Sequence, residues 1–134
     1  MKEQPRVGLT GSLEFTAGGA DLITFDKGKM PPVLSTPSLI SYLEQTARLT
    51  LQPLLDESES SVGVELEIRH LAPTPPGQKV KCSAKVIFVD GVFVNFQIEA
   101  WDESEQIALG THKRAIINIE RFKRRLEKKI KKNQ

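Results

Sequence analysis

The sequence contains few of the residues that metal and disulfide chemistry require. Its 134 residues include one cysteine, Cys82, and two histidines, His70 and His112. A single cysteine cannot form a disulfide within the chain, which fits the reducing conditions of the cytoplasm. Two histidines without the Cys/His spacing of a zinc site, and without an acidic cluster, argue against a metal centre.

Long apolar runs and several common catalytic motifs are absent as well. No run of apolar residues approaches the ~20 that a membrane-spanning helix needs, and residues 1–15 lack the apolar core of a secretory signal. There is no glycine-rich phosphate loop and no Gly-x-Ser-x-Gly nucleophile motif. These absences predict a cytoplasmic protein with no membrane partner.

Positive charge is concentrated at the C-terminal end. Residues 120–134 include eight basic and two acidic residues, whereas the whole chain has 19 basic and 17 acidic. Because this segment has one aromatic residue, Phe122, it lacks the interleaved aromatics that stack on bases. We interpret it as a solvated helix and expect no nucleic-acid partner. The predicted organisation is one domain over residues 1–122 and a basic helical tail over residues 123–134.

One segment has the pattern of a long amphipathic helix. Apolar residues recur at three- and four-residue intervals at positions 39, 40, 43, 47, 51 and 54. Thr36 suits the N-cap and Pro37 the first helical position. Pro53 predicts that the helix ends near Leu51.

Strand-like runs surround this helix. Four follow it, at residues 62–71, 78–89, 92–101 and 107–119, and are separated by APTPPGQ, VDGV and DESEQ, which predicts an antiparallel meander. A strand at residues 12–16 and a short apolar segment at 22–25 precede it. A curved antiparallel sheet around one long central helix is the α+β order of the hot-dog fold. The exposed edge of such a sheet favours a homodimer.

His70 ends the first of the four runs in an unusual place. Apolar residues at positions 62, 64, 66 and 68 alternate with Gly63 and with polar residues. Continued alternation places His70 on the apolar face and Gly63 on the opposite face. A buried imidazole needs a hydrogen-bond partner, so His70 is either a bonded core histidine or part of a site.

Two residues of the predicted helix also have two interpretations each. Glu44 lies at the flank of the apolar stripe and is either an exposed partner of Arg48, four residues on, or a catalytic carboxylate. Thr36 can act as a helix cap alone. It can also belong to a site, because a helix N-terminus polarises a carbonyl group.

The last predicted strand and Cys82 complete the candidates. Gly110, His112 and Arg114 share one face of that strand. Gly110 allows the close approach of a ligand or of another backbone, and Arg114 could bind phosphate. Cys82 alternates with small apolar residues, so we interpret it as part of the core and not as a nucleophile.

Three separated motifs resemble one known family. The segments STPSLISYLEQTAR, GVELEIRHLAPTPPGQKVKCSAKV and GTHKRAIINIERF are similar to the fluoroacetyl-CoA-thioesterase-like hot-dog proteins. The resemblance covers about residues 32–122 and implies that Thr36, Glu44 and His70 are catalytic. It also implies that Gly63 and Arg114 contact the substrate. The implied reaction is hydrolysis of a small acyl-CoA to the free acid and CoA, with no separate cofactor.

The resemblance does not identify the acyl group, and the chemical route stays open. Glu44 either activates water or attacks the carbonyl carbon itself to give a transient anhydride. Two other functions fit the same residues. One is a hot-dog acyl-CoA dehydratase or isomerase, which moves protons without releasing the thiol. The other is a non-catalytic acyl-CoA binding module.

Overall fold

A five-stranded antiparallel sheet curves around one long helix in the computed structural model, which describes residues 1–132. The elements are β1 (Thr10–Thr16), β2 (Leu22–Ile23), β3 (Val33–Leu34), α1 (Thr36–Leu51), β4 (Glu59–His70), β5 (Lys79–Asp90), β6 (Phe93–Trp101), β7 (Gln106–Asn118) and α2 (Ile119–Lys132). The short strands β2 and β3 pair separately from the main sheet. The predicted α+β arrangement is confirmed.

Helix α1 forms because its apolar stripe is buried against the sheet. Leu39, Leu43, Ala47 and Leu51 are fully buried, and α1 contacts β1, β4, β5 and β6. Helix α1 ends at Leu51, where the sequence predicted, and a short 3₁₀ turn over Gln52–Leu54, which contains Pro53, follows it.

The N-terminus of α1 differs from the prediction. The N-cap is Ser35, whose Oγ accepts a hydrogen bond of 3.2 Å from the backbone N–H of Ser38. Thr36 and Pro37 are therefore the first and second helical residues, and the prediction that Thr36 caps the helix was wrong. Because Ser35 serves as the cap, the hydroxyl of Thr36 is available for a contact outside the helix.

The order of the strands corrects the predicted meander. The sheet order is β1-β5-β6-β7-β4, so only β5, β6 and β7 form a meander. Strand β4 pairs with β7, and APTPPGQ leads from that edge to β5 without forming a hairpin. Gly110 of β7 permits this pairing, because a Cβ there would overlap the backbone carbonyl of Glu67 in β4. The close partner of Gly110 is thus another backbone.

A β-bulge in β4 changes which side chains face the helix. The pairing with β7 shifts between Gly63 and Glu65, so Val64 is an extra residue and is half exposed. Before the bulge, Ser61 and Gly63 face α1, whereas after it Leu66, Ile68 and His70 do. The prediction that one uninterrupted alternation places Gly63 on the outer face was wrong.

The core lies between α1 and the inner face of the sheet. Its largest fully buried side chains include Phe96 and Ile98 of β6. Cys82 is completely buried there, as predicted, and burial raises the pKa of its thiol to about 12. Such a thiol is not a nucleophile at neutral pH.

Helix α2 continues directly from β7. None of its described residues is buried, and Leu126 and Ile130 are exposed. The predicted tail over residues 123–134 falls on this helix, except for its last two residues, which lie outside the described residues. Its independence from the domain over residues 1–122 stays a prediction. Among residues 1–132, no helix is long and apolar enough to cross a bilayer.

Candidate active site

The start of α1 and the end of β4 bring Thr36 and His70 into contact. Thr36 Oγ1 lies 2.8 Å from His70 Nδ1, which is hydrogen-bond distance. The other ring nitrogen, Nε2, is buried and has no hydrogen-bond partner within residues 1–132. Burial lowers the pKa of His70 below its ordinary value of 6.5, although the Ala72 backbone opposes the effect. The imidazole is therefore neutral at neutral pH.

An apolar pocket surrounds this pair. Its lining includes Ile23, Phe25 and Val33 from the region of β2 and β3, and Leu71 and Pro73 from the segment after β4, together with the Thr36–His70 pair. The short strands β2 and β3 thus form one wall, and the segment after β4 forms another. An apolar pocket with one or two convergent polar groups is the usual form of a small-molecule site.

Glu44 belongs to a second cluster, farther along α1. Its Oε2 lies 3.6 Å from Nη1 of Arg114 in β7, and no ion pair joins it to Arg48 within residues 1–132. The interpretation of Glu44 as a surface partner of Arg48 was therefore wrong. The side chain of Glu44 is 43% exposed, whereas that of Arg114 is 6% exposed. Gly63 makes room for the carboxylate, because a Cβ there would lie 2.7 Å from Oε2.

Arg114 is fixed by hydrogen bonds around its guanidinium group. Its Nε donates to Ser61 Oγ at 2.9 Å and its Nη2 to the Ser61 carbonyl oxygen at 2.9 Å. Its Nη1 lies 3.2 Å from Nε2 of His112. Burial lowers the pKa of Arg114, and Glu44 opposes this shift. These contacts place the guanidinium inside the fold, beside Glu44, and not on the open surface where a phosphate group would most easily meet it.

The contacts of His112 fix its tautomer. Nδ1 lies 2.9 Å from the backbone carbonyl oxygen of Glu65. A carbonyl oxygen only accepts, so Nδ1 carries the proton and Nε2 accepts from Arg114. Burial lowers the pKa of His112, and the charge of Arg114 adds to this effect, although the hydrogen bond to the Glu65 backbone opposes it. A neutral imidazole is thus the partner of the guanidinium.

The two clusters adjoin but do not form one bonded triad in the single chain. Thr36 and Glu44 are eight residues apart, so their Cα atoms are separated by roughly 12 Å along the helix. Within residues 1–132, no hydrogen bond links Glu44 to Thr36 or His70. Pro37 lines the apolar pocket and also a second concavity, which contains Glu44 and Arg114. The two clusters therefore meet along the exposed side of α1.

Sequence reasoning assigned no role to two members of the second cluster, His112 and Ser61. His112 shared a strand face with Arg114, and that shared face was the available signal. Ser61 gave no such signal, because the bulge between Gly63 and Glu65 inverts the alternation that would have indicated its direction.

Comparisons with known proteins agree with this fold. Residues 19–120 match the family of fluoroacetyl-CoA-specific thioesterases. A fluoroacetyl-CoA thioesterase from Streptantibioticus cattleyicolor is 31% identical over 101 residues, which are 75% of this chain and 73% of that protein.

Two solved structures cover almost the whole chain. A crystal structure of a variant of the fluoroacetyl-CoA-specific thioesterase FlK matches with a TM-score of 0.87 at 27% identity, covering 96% of this chain and 99% of that one. A thioesterase superfamily member from Thermus thermophilus gives a TM-score of 0.84 at 27% identity, covering 98% of both chains.

The sheet, the central helix and these likenesses define the class as the hot-dog thioesterases, which confirms the predicted fold. Within that class, the chain belongs to the fluoroacetyl-CoA-specific thioesterase family. It is accordingly a hydrolase of acyl-CoA thioesters, and the predicted enzyme class is confirmed.

Proposed function

We propose that Thr36, Glu44 and His70 hydrolyse the thioester of a small acyl-CoA, giving the free acid and CoA. The observation that carries this proposal is the contact between Thr36 Oγ1 and His70 Nδ1 at the wall of an apolar pocket. A buried ring nitrogen without a protein partner is costly unless a ligand or water occupies it. His70 Nε2 is such an atom within residues 1–132.

The relatives support a small acyl group. Two variants of FlK have been crystallised, one with fluoroacetate and CoA and the other with acetyl-CoA. The pocket is lined by apolar side chains that include Phe25, Val33 and Leu71, together with the Thr36–His70 pair. We therefore place the acyl group in this pocket, with the thioester carbonyl next to His70.

In this proposal each of the three residues has its own part in the reaction. When the Thr36 hydroxyl donates a hydrogen bond to Nδ1 of the neutral His70, the ring proton is on Nε2. The Nε2–H group can then donate a hydrogen bond to the carbonyl oxygen of the thioester. Glu44 either removes a proton from the attacking water or attacks the carbonyl carbon to form an anhydride, which water then opens. In both routes the carbon–sulfur bond breaks and CoA leaves as a thiolate. Thiols with a pKa of about 8.5 leave without strong acid assistance.

Arg114 and Gly63 support Glu44 in this scheme. The buried guanidinium of Arg114 orients the carboxylate through the contact of 3.6 Å, and Gly63 leaves the space that the carboxylate occupies. Gly63 thus lies directly against the carboxylate that the substrate would meet, in line with the substrate contact that the family resemblance implies. No separate cofactor enters this scheme, because the CoA is part of the substrate.

We also propose that two copies of the chain assemble as a homodimer. Strand β4 lies at one edge of the sheet and is paired on one side only, with β7, within residues 1–132. An edge of twelve residues is satisfied when a second copy pairs with it. Gly63 and His70 lie on this strand, so a partner chain would approach both clusters. A cytoplasmic location follows from the proposed substrate, since acyl-CoA thioesters are intracellular metabolites.

The release of free thiol from acyl-CoA tests the proposal. A panel of fluoroacetyl, acetyl, branched and aromatic acyl-CoAs is compared for the wild type, Thr36→Val and His70→Gln. We expect the wild type to release thiol from at least one small acyl-CoA and both variants to lose about 100-fold in kcat/KM, which is typical for removing a positioned proton donor.

A matched control and the contrary result are available. Glu57→Gln changes an exposed residue in the loop before β4 and should leave the rate unchanged. Binding of acyl-CoA without release of thiol would overturn the proposal and favour a binding module. Proton exchange without thiol release would favour a dehydratase or isomerase.

A further inference from the structure

We propose that His112 is a positioning residue that acts through Arg114 to hold the Glu44 carboxylate in place. The inference rests on the proposed role of Glu44, and it adds a residue whose part in the reaction the family resemblance does not assign. The chain of contacts runs from the Glu65 carbonyl through His112 and Arg114 to Glu44, with distances of 2.9, 3.2 and 3.6 Å.

The hydrogen-bond donors and acceptors along this series of contacts can be assigned. Nδ1–H of His112 is used by the Glu65 carbonyl, which leaves the lone pair on Nε2 as the acceptor. Nη1 of Arg114 lies at hydrogen-bond distance from His112 Nε2, 3.2 Å, and forms an ion pair with Glu44 Oε2 at 3.6 Å. The same nitrogen therefore bridges the imidazole and the carboxylate. Its direction determines where the carboxylate is held.

The other edge of the guanidinium is already occupied. Nε and Nη2 of Arg114 both donate to Ser61, one to Oγ and one to the backbone oxygen. His112 is thus the hydrogen-bond partner that orients the remaining nitrogen of the guanidinium, Nη1. If His112 is replaced, Nη1 loses its acceptor. Because the Arg114 side chain is only 6% exposed, water cannot easily take the place of that acceptor.

The imidazole is itself held rigidly. Its 2% exposure leaves it enclosed, and its ring lies 6.5 Å from the Phe96 ring, centroid to centroid, at an interplanar angle of 27°. The bulge in β4 brings the Glu65 carbonyl to the ring, and a Cβ at Gly63 would lie only 3.2 Å from its Cε1. A ring confined in this way presents Nε2 in one direction.

Two substitutions test the roles of the two ring nitrogens of His112 separately. In His112→Asn, the amide can replace the Nδ1 donor to Glu65 but does not reach Arg114. In His112→Gln, the side-chain oxygen lies at the same bond count as Nε2 and can accept from Arg114. We expect His112→Asn to lower kcat about tenfold or more with little change in KM, and His112→Gln to restore most of that loss.

A double-mutant cycle with Arg114→Met tests the route of the effect. If His112 acts through Arg114, His112→Asn should cost little further activity once Arg114 is replaced. Thermal unfolding of every variant measures the purely structural contribution. The nitrogen chemical shifts of His112 in the wild type, which need no activity, should show a neutral ring with the proton on Nδ1.

Three results would overturn the inference. They are equal kcat values for the Asn and Gln variants, full additivity with Arg114→Met, and a proton on Nε2 in the wild type. Failure of the proposed function is distinguishable from these results, because Glu44→Gln would then retain wild-type thiol release whatever His112 does.

Discussion

Replacing Gly63 by alanine should displace the Glu44 carboxylate without unfolding the protein. The new Cβ would lie 2.7 Å from Glu44 Oε2 and 3.2 Å from His112 Cε1, whereas ordinary contacts begin near 3.4 Å. The carboxylate must therefore move by about 0.7 Å, the difference between 3.4 Å and 2.7 Å. The carboxylate is the far end of a flexible side chain, and the His112 ring needs to yield by only about 0.2 Å, the difference between 3.4 Å and 3.2 Å. Since Gly63 has no positive φ, the backbone can stay as it is.

The expected effect is on catalysis. A misplacement of about 1 Å at a reacting group can cost on the order of 100-fold in rate, so a shift of this size should lower kcat/KM by about tenfold or more. The free energy of unfolding should change by less than about 1 kcal/mol, since alanine also restricts the unfolded chain. Thiol release and urea unfolding, measured on the same preparation, give the two quantities.

Gly18→Ala is the matched control. Its Cβ would have no heavy atom within 4 Å, and Gly18 has an extended φ of −175° that any residue adopts. We expect it to change neither activity nor stability by a measurable amount. The reasoning is refuted if Gly63→Ala keeps the wild-type kcat/KM, or if it loses activity only in proportion to a loss of folded protein.

Three further predictions concern the cap, the thiol and the histidines. Ser35→Ala should lower the free energy of unfolding by about 1 kcal/mol, measured in urea, because it removes the N-cap of α1. Cys82, with its pKa raised to about 12, should react with a thiol reagent at pH 8 only after unfolding, and rapid labelling of the native protein would contradict its burial. Burial lowers the pKa of both His70 and His112 below 6.5 in the folded protein. As the pH falls through that value, the unfolded chain therefore binds more protons than the folded protein does. Stability should therefore decrease from pH 7 to pH 5.5, and His70→Gln combined with His112→Gln should flatten this dependence of the unfolding temperature on pH.

Local patterns in the sequence were sufficient for most of the elements. The apolar stripe of α1 follows directly from the 3.6-residue period, and the stripe positions Leu39 and Leu43 are buried as that period requires. The Asp-Gly pair predicted the hairpin between β5 and β6, where Gly91 has the positive φ of a tight turn. These features depend on neighbours in sequence, so no knowledge of the rest of the fold is needed.

Features that depend on distant partners were not predictable in this way. Alternation shows that β4 is a strand but not that it pairs with β7 at the edge of the sheet. One extra residue at Val64 reverses the direction of every side chain before it, which placed Gly63 on the wrong face. The N-cap lies one residue before the predicted one. Ser35 and Thr36 are both residue types that cap helices, and the tertiary contact of Thr36 with His70 distinguishes their roles.

The candidate site was predictable to a similar extent. Thr36, Glu44 and His70 came from the family resemblance, and the structure brings two of them into direct contact. The catalytic role of these residues stays a prediction, as do the substrate contacts of Gly63 and Arg114. The partner of Glu44 was misjudged because Arg48 is near in sequence, whereas Arg114 arrives from another strand.

The most direct test of this account is the rate of thiol release by Glu44→Gln, with Glu57→Gln measured beside it. The substitution keeps the size of the side chain and removes its ability to act as base or nucleophile. We predict a loss of at least about 100-fold in kcat for Glu44→Gln and none for Glu57→Gln, with both proteins folded. A Glu44→Gln protein that hydrolyses the preferred acyl-CoA at the wild-type rate would contradict the assignment of Glu44 as the catalytic carboxylate.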